Sequence, residues 1–221
     1  MTRFNRLASV AAIAAAAFLG AASASATVIL TFGQNASTDT ITGTNNGSGT
    51  TTIGGTNISV SITQIDALLV TPFNALFTLS ATSVGAASSS GGFVTQDYSG
   101  SFCITSAAGC GGINYLSGTF TDATFGAGTS LTMSGAEPPG SVSFTSGVIT
   151  DLDLPRGMSF SFADVSPVLH IVNGSIGSFR SSVSGTLSGN QTTHENPEPA
   201  TLGLLGIALA GLGFARRRNR S

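Results

Sequence analysis

Apolar and polar residues alternate with a period of two at several places in the middle of the 221-residue chain. Five segments show this most clearly, with apolar positions at Ile58, Val60 and Ile62; Phe102 and Ile104; Val142 and Phe144; Met158, Phe160 and Phe162; and Phe179, Val183 and Leu187. Such a period belongs to a β-strand with one buried and one solvated face, as in antiparallel sheets. No segment between the two ends sustains a helical period, because Gly, Ser and Thr interrupt every candidate.

Turn-forming sequences separate the alternating segments: Asn46-Gly47, Pro138-Pro139-Gly140, Pro155-Arg156-Gly157 and Asn173-Gly174. Many short strands joined by such turns predict an all-β, antiparallel body of the β-sandwich or jelly-roll type. A β-solenoid is the alternative, although no fixed repeat period is present. Two low-complexity stretches rich in Gly, Ser and Thr, residues 38–56 and 86–92, are predicted to be long loops.

The composition supports a folded body and limits its partners. Eleven phenylalanines between Phe32 and Phe179 can supply a hydrophobic core. Between residues 27 and 195 there are two basic side chains, Arg156 and Arg180, against nine carboxylates, which gives a net charge of -7. Nucleic-acid binding depends on Lys and Arg contacts to phosphates, so this balance argues against a nucleic-acid partner.

The N-terminus has the three parts of a secretory signal peptide. Arg3 and Arg6 form a positive start, residues 7–21 are apolar, and small residues follow at Ala24 and Ala26. Signal peptidase requires small residues at such positions, so we predict cleavage after Ala26, with Ala24 as the alternative. An uncleaved N-terminal anchor helix is the other interpretation.

The C-terminus combines a rigid motif, an apolar run and a positive cluster. Pro197-Glu198-Pro199 precedes an uncharged run at residues 201–215, and Arg216, Arg217 and Arg218 follow as a membrane stop signal. As a helix the run is about 22 Å long, shorter than a hydrocarbon core of roughly 30 Å. It can still span if the arginines snorkel and the bilayer thins. Because positive residues favour the cytoplasmic side, this helix would leave the body on the opposite side.

This tripartite tail resembles the PEP-CTERM sorting domain of Gram-negative bacteria. The resemblance implies recognition by a membrane-embedded exosortase, cleavage near Pro197–Pro199 and export linked to exopolysaccharide or biofilm production. The tail would hold the protein in the inner membrane as an intermediate before it reaches the cell envelope, the outer surface or the extracellular space. An ordinary C-terminal anchor is the alternative. The resemblance covers residues 196–221. It implies where the protein is sorted and does not imply an activity of the body.

The chain is therefore predicted to have three parts. These are a signal peptide at residues 1–26, a Gly/Ser/Thr-rich β body at residues 27–195 and a sorting tail at residues 196–221. The predicted fold places the β body between an N-terminal signal helix and a C-terminal membrane-spanning helix.

Cys103 and Cys110 are the two cysteines of the chain. An exported protein meets an oxidising compartment, so we predict a structural disulfide across a short loop. Free thiols and a metal site are the alternatives, but the spacing fits neither a zinc knuckle nor a redox Cys-x-x-Cys motif.

No constellation of residues predicts a catalytic site, a metal site or a cofactor. His170 lies in an apolar run that we expect to be a strand, where a structural histidine is the simpler interpretation. Asp151 and Asp153 would share one face of a strand, so they could bind calcium or act as a carboxylate pair, or be solvent-facing acids beside a turn.

Three functions remain open at the level of sequence. The first is a non-enzymatic surface or matrix protein associated with exopolysaccharide. The second is a carbohydrate-binding module, for which Tyr98 and Tyr115 are the candidate aromatic platforms. The third is a secreted hydrolase, which would need Asp151, Asp153 or His170 to converge in a cleft.

Overall fold

The structure, a computed structural model, describes residues 26–36, 40–67, 69–150 and 152–190. The regular elements in these ranges are thirteen strands: β1 (Thr27–Gln34), β2 (Ile41–Asn45), β3 (Thr51–Ile65), β4 (Phe73–Ser83), β5 (Ser88–Ser90), β6 (Phe93–Ala107), β7 (Gly111–Ala127), β8 (Ser130–Glu137), β9 (Ser141–Thr145), β10 (Asp153–Ser166), β11 (Ile171–Val172), β12 (Ser175–Ile176) and β13 (Phe179–Asn190). The described ranges contain no helix that could cross a membrane. The predicted signal helix and C-terminal helix lie outside them.

Eight strands form a closed antiparallel sheet. The hydrogen-bonded order is β6-β4-β3-β1-β13-β10-β8-β7, and β7 pairs again with β6 along a ladder from Val94 and Gly126 to Ala107 and Gly111. β1 and β2 both lie between β13 and β3. β1 pairs with one part of these two strands, and β2 pairs with the part beyond the end of β1. In the same way, β8 pairs with the end of β7 and β9 pairs with an earlier part of it.

The predicted all-β, antiparallel class is confirmed. The predicted sandwich or jelly roll is not, because the main strands form one continuous sheet and do not divide into two facing sheets. The alternation along a strand fixes which face is buried and leaves the partner strands unspecified, so both arrangements fit the same pattern.

Phenylalanine side chains fill the inside of the closed sheet around Phe160. The ring of Phe160 lies 5.2 Å from that of Phe102, 5.4 Å from that of Phe77, 6.1 Å from that of Phe32 and 6.4 Å from that of Phe120, as measured between ring centroids. All five side chains are buried. Aromatic pairs at these separations add specific contacts to the burial of their area. The core therefore joins β1, β4, β6, β7 and β10.

The five alternating segments all lie in strands with their apolar members buried. The predicted turn at Pro155-Arg156-Gly157 is wrong, because these residues lie inside β10. The register of β10 against β13 jumps there, from Asp153 opposite Asn190 to Gly157 opposite Ser188. Proline is tolerated at such an irregularity because it needs no ladder hydrogen bond there.

The prediction of long loops at residues 38–56 and 86–92 is also wrong in part. β2 and the start of β3 lie in the first stretch, and the three-residue β5 lies in the second. Ile41 and Ile53 are buried, but the next inward positions are Gly43 and Thr51, so the apolar alternation is interrupted. Gly43 is required there because a Cβ atom would lie 2.2 Å from the ring of Phe179.

Both ends of the described chain lie at the same end of the closed sheet. Thr27 is paired with Gly189 on the neighbouring strand, and β13 ends at Asn190. We call this end, formed by the start of β1 and the end of β13, the terminal rim. The opposite end, formed by the starts of β3, β6 and β13, is the far rim, where the β11–β12 hairpin lies against β2 and β6.

Candidate functional site

The predicted disulfide is present. Cys103 and Cys110 are bonded, with a Cα–Cα distance of 5.8 Å, across the β6–β7 connection at the terminal rim. Closing so short a loop contributes about 2.5 kcal/mol by the chain-entropy estimate. No described cysteine is left as a free thiol, which gives this pair a structural role at the rim.

The two tyrosines do not form an exposed aromatic platform. Tyr98 is fully buried, and Tyr115 is 8% exposed and packs against Phe73 with ring centroids 4.9 Å apart. Burial raises the pKa of Tyr98, because the phenolate would lose its hydration. The expectation that Tyr98 and Tyr115 face a sugar is therefore wrong, since both face the core.

Tyr98 belongs instead to a buried polar network at the far rim. Its hydroxyl donates to Gln96 Oε1 at 3.2 Å, and Gln96 Nε2 donates to Ser175 Oγ at 2.9 Å. The Ile176 N–H donates to Gln96 Oε1 at 3.0 Å, and Thr51 Oγ1 donates to the Ile176 carbonyl. Polar groups buried in this way need such partners. The network fastens the β11–β12 hairpin to β3 and β6.

The candidate catalytic residues are not brought together. His170 is exposed, lies outside the strands and contacts the Val168 carbonyl through Nδ1 at 2.9 Å. It belongs to the far rim, whereas the exposed Asp153 begins β10 at the terminal rim. Asp151 lies outside the described residues. In the part of the chain that the structure describes, no group of three or more His, Cys, Asp or Glu side chains could hold a metal ion.

The two basic side chains of the body have different surroundings. Arg156 forms an ion pair with Glu137 at 3.7 Å, and its Nε donates to the Leu152 carbonyl at 2.6 Å. Arg180 is exposed on β13 and has no ion-pair partner among the described residues. Arg156 therefore has a structural role, while the Arg180 guanidinium remains available to a ligand.

Hydroxyl side chains form rows across the outer surface of the closed sheet. One row crosses β2, β3, β4, β6, β7 and β9 through directly paired positions: Thr44, Thr52, Thr82, Ser99, Thr121 and Ser141. Five of these six residues are exposed, and Ser99 is partly exposed. The strand pairing thus gathers small polar residues from six strands into one uncharged row.

Arg180 lies in a cleft at the far rim. The cleft has a volume of about 430 Å³, and Thr42, Thr44, Ser166, Pro167 and Ser178 also line it. The Asn45 N–H donates to Ser178 Oγ at 3.0 Å, which leaves the Ser178 hydroxyl proton free to donate. Thr42 Oγ1 donates to the Gly54 carbonyl at 3.3 Å, so its oxygen can still accept a hydrogen bond. The cleft therefore offers a cation, a donor and an acceptor.

Sequence reasoning missed this cleft. Arg180 was visible as one of two body cations, but the sequence did not show that Arg156 would be paired and Arg180 would not. The hydroxyl residues come from β2, β10 and the segment before β13, which only the register brings together.

The predicted processing residues fall largely outside the described ranges. Ala26 is described and exposed, directly before β1. Ala24, the tripeptide Pro197-Glu198-Pro199 and the cluster Arg216, Arg217 and Arg218 lie outside. Their assignment as cleavage, sorting and stop signals stays a prediction from sequence.

Comparison with known proteins identifies the C-terminal tail. A family model described as the PEP-CTERM protein-sorting motif matches residues 197–218. No curated protein and no solved structure matches the chain.

Proposed function

We propose that this protein, whose PEP-CTERM sorting motif implies export and exosortase sorting to the cell surface, is a non-enzymatic component of the surface or extracellular matrix. In this proposal, signal peptidase removes residues 1–26 and exosortase cleaves near Pro197–Pro199. The β body is then retained in the exopolysaccharide of the cell or biofilm.

The observation that carries the proposal is the position of the motif. It occupies residues 197–218 at the C-terminus, and the folded body described before it ends at Asn190. Cleavage near Pro197–Pro199 would release the body without removing any of its described strands. The same body presents rows of exposed hydroxyl groups, which suit hydrogen bonding to the hydroxyl groups of a polysaccharide.

A carbohydrate-binding module built on aromatic platforms is less well supported, because Tyr98 and Tyr115 are buried. A hydrolase is also less well supported, because Asp153 and His170 lie at opposite rims. Polysaccharide association through hydroxyl and charged groups needs neither arrangement.

The proposal is tested by a matched pair of glutamate variants expressed in an exosortase-containing host. Glu198→Ala alters the motif, whereas Glu195→Ala makes the same change outside the matched residues. We expect the Glu198→Ala protein to accumulate in the membrane fraction as a precursor. The Glu195→Ala protein should appear in the polysaccharide fraction, as the wild type does. Equal distribution of both variants would contradict the proposed sorting step.

A further inference from the structure

The Arg180 cleft combines a cation without an ion-pair partner among the described residues with several hydroxyl groups. It is an open depression of about 430 Å³, so a bound ligand would keep part of its surface in contact with solvent. Its lining combines the guanidinium of Arg180 with the hydroxyls of Thr42, Ser166 and Ser178. A ligand for this cleft must carry an anionic group together with several hydroxyl groups.

We propose that the Arg180 cleft binds an acidic sugar unit, with a uronate carboxylate on the Arg180 guanidinium and ring hydroxyls on the threonine and serine side chains. This inference rests on the proposed function, because it names the class of polysaccharide that the body binds. The planar guanidinium presents paired N–H donors that match the two oxygens of a carboxylate. Ser178 Oγ can donate to a sugar hydroxyl, and Thr42 Oγ1 can accept from one.

The charge of the body does not prevent this contact. The net charge of -7 between residues 27 and 195 repels a polyanion at long range. At about 0.15 M salt, however, charges more than about 8 Å apart are largely screened. One exposed carboxylate, that of Asp164, lies on β10 two residues before Ser166. The Arg180 guanidinium supplies the positive charge of the cleft, since Arg156 is already paired with Glu137.

The cleft and the terminal rim lie at opposite ends of the closed sheet. Arg180 is the second residue of β13, and Gly189, which pairs with Thr27, is near the other end of that strand. Nine residues of strand separate the two by about 30 Å. The cleft therefore lies at the rim opposite the one from which the chain continues toward the sorting motif.

The test measures retention on immobilised polygalacturonate, a polymer of uronic acid, and on dextran, a neutral glucose polymer. It uses the full chain extracted in mild detergent at about 0.15 M salt, so the result does not depend on whether sorting occurs. We expect the wild type to bind polygalacturonate more tightly than dextran. Arg180→Gln should weaken polygalacturonate binding about fivefold or more, because it removes a charged hydrogen-bonded contact. Arg180→Lys should restore part of it.

Asn74→Asp is the matched control, because it lowers the net charge by one, as Arg180→Gln does, at an exposed position on β4 near the terminal rim. It should leave polygalacturonate binding within about twofold of the wild type, because a screened distant charge contributes little. Equal loss in Arg180→Gln and Asn74→Asp would overturn the inference, as would equal retention of the wild type on the two polymers. Either result leaves the sorting experiment with Glu198 unaffected, so failure of the site and failure of the proposed function are distinguishable.

Discussion

At the scale of single residues, Tyr98 shows how burial determines chemistry. It is fully buried, and its hydroxyl donates to Gln96 Oε1 at 3.2 Å. Burial raises its pKa, so the folded protein keeps the phenol protonated at a pH where the unfolded chain has begun to ionise. The stability gained from the neutral buried phenol is complete below the unfolded pKa, near 10, and is lost as pH rises above it.

We therefore predict that the free energy of unfolding falls above about pH 10, and that Tyr98→Phe makes this decline shallower. The chain has two tyrosines and no lysine, so few groups titrate in that range. At neutral pH the variant should lose about 0.5–1.5 kcal/mol, the net contribution of one hydrogen bond. Urea unfolding between pH 7 and 11.5 measures both effects. An unchanged slope above pH 10 in Tyr98→Phe would show that the buried phenol does not control it.

Sequence alone could not show the roles of the polar residues. Tyr98 and Gln96 alternate with Asp97 and Ser99, and both are buried in the structure. Gln96 faces inward because Ile176, Ser175 and the Gly85 carbonyl provide partners from distant parts of the chain. Without knowledge of those partners, the polarity of Gln96 predicts an exposed side chain.

At the scale of elements, the β11–β12 hairpin is held at the far rim by hydrogen bonds more than by its own strands. Each strand has two residues, far too few for a hairpin to be stable alone. Ser175 and Ile176 are buried against Gln96 and Thr51. Gln96 supplies the buried contacts of the hairpin, and Asn45 Nδ2 adds hydrogen bonds to the Val172 and Ile176 carbonyls.

We predict that Gln96→Leu destabilises the protein by about 2–5 kcal/mol, because the Ile176 N–H and the Tyr98 hydroxyl, both buried, lose their acceptor. Amide hydrogen exchange should rise first in residues 171–176, since the hairpin opens before the closed sheet. Gln64→Leu is the control: Gln64 is exposed on β3, and its replacement should change stability by less than about 0.5 kcal/mol. Uniform exchange across β3, β6 and the hairpin in Gln96→Leu would mean that the hairpin is not a separate unit.

Alternation predicted elements well where every second residue is large and apolar, as in the segment from Met158 to Phe162. It failed at β2, where the inward Gly43 leaves room for Phe179 and carries no side chain of its own. It also failed at Pro155, because an irregular register accommodates a sequence that normally forms a turn. Alternation could not predict that the sheet closes through β6 and β7, because the sequence pattern of one strand does not specify its partner strands.

At the scale of the whole molecule, the two chain ends explain how export and folding are compatible. Thr27 and Gly189 are paired, and the buried core runs from Ile29 to Leu187. Removing the segments before Thr27 and after Asn190 would therefore leave every described strand in place. The sorting tail could be predicted from sequence because its parts are contiguous, whereas the Arg180 cleft depends on register and could not.

Intact mass and terminal sequencing of the protein recovered from cells and from medium would show whether both terminal segments are removed. We predict a product that begins near Thr27 and ends near Pro197–Pro199, found outside the inner membrane. A membrane-bound product that begins near Thr27 and still contains Arg216, Arg217 and Arg218 would contradict the account, because the tail would then be a permanent anchor.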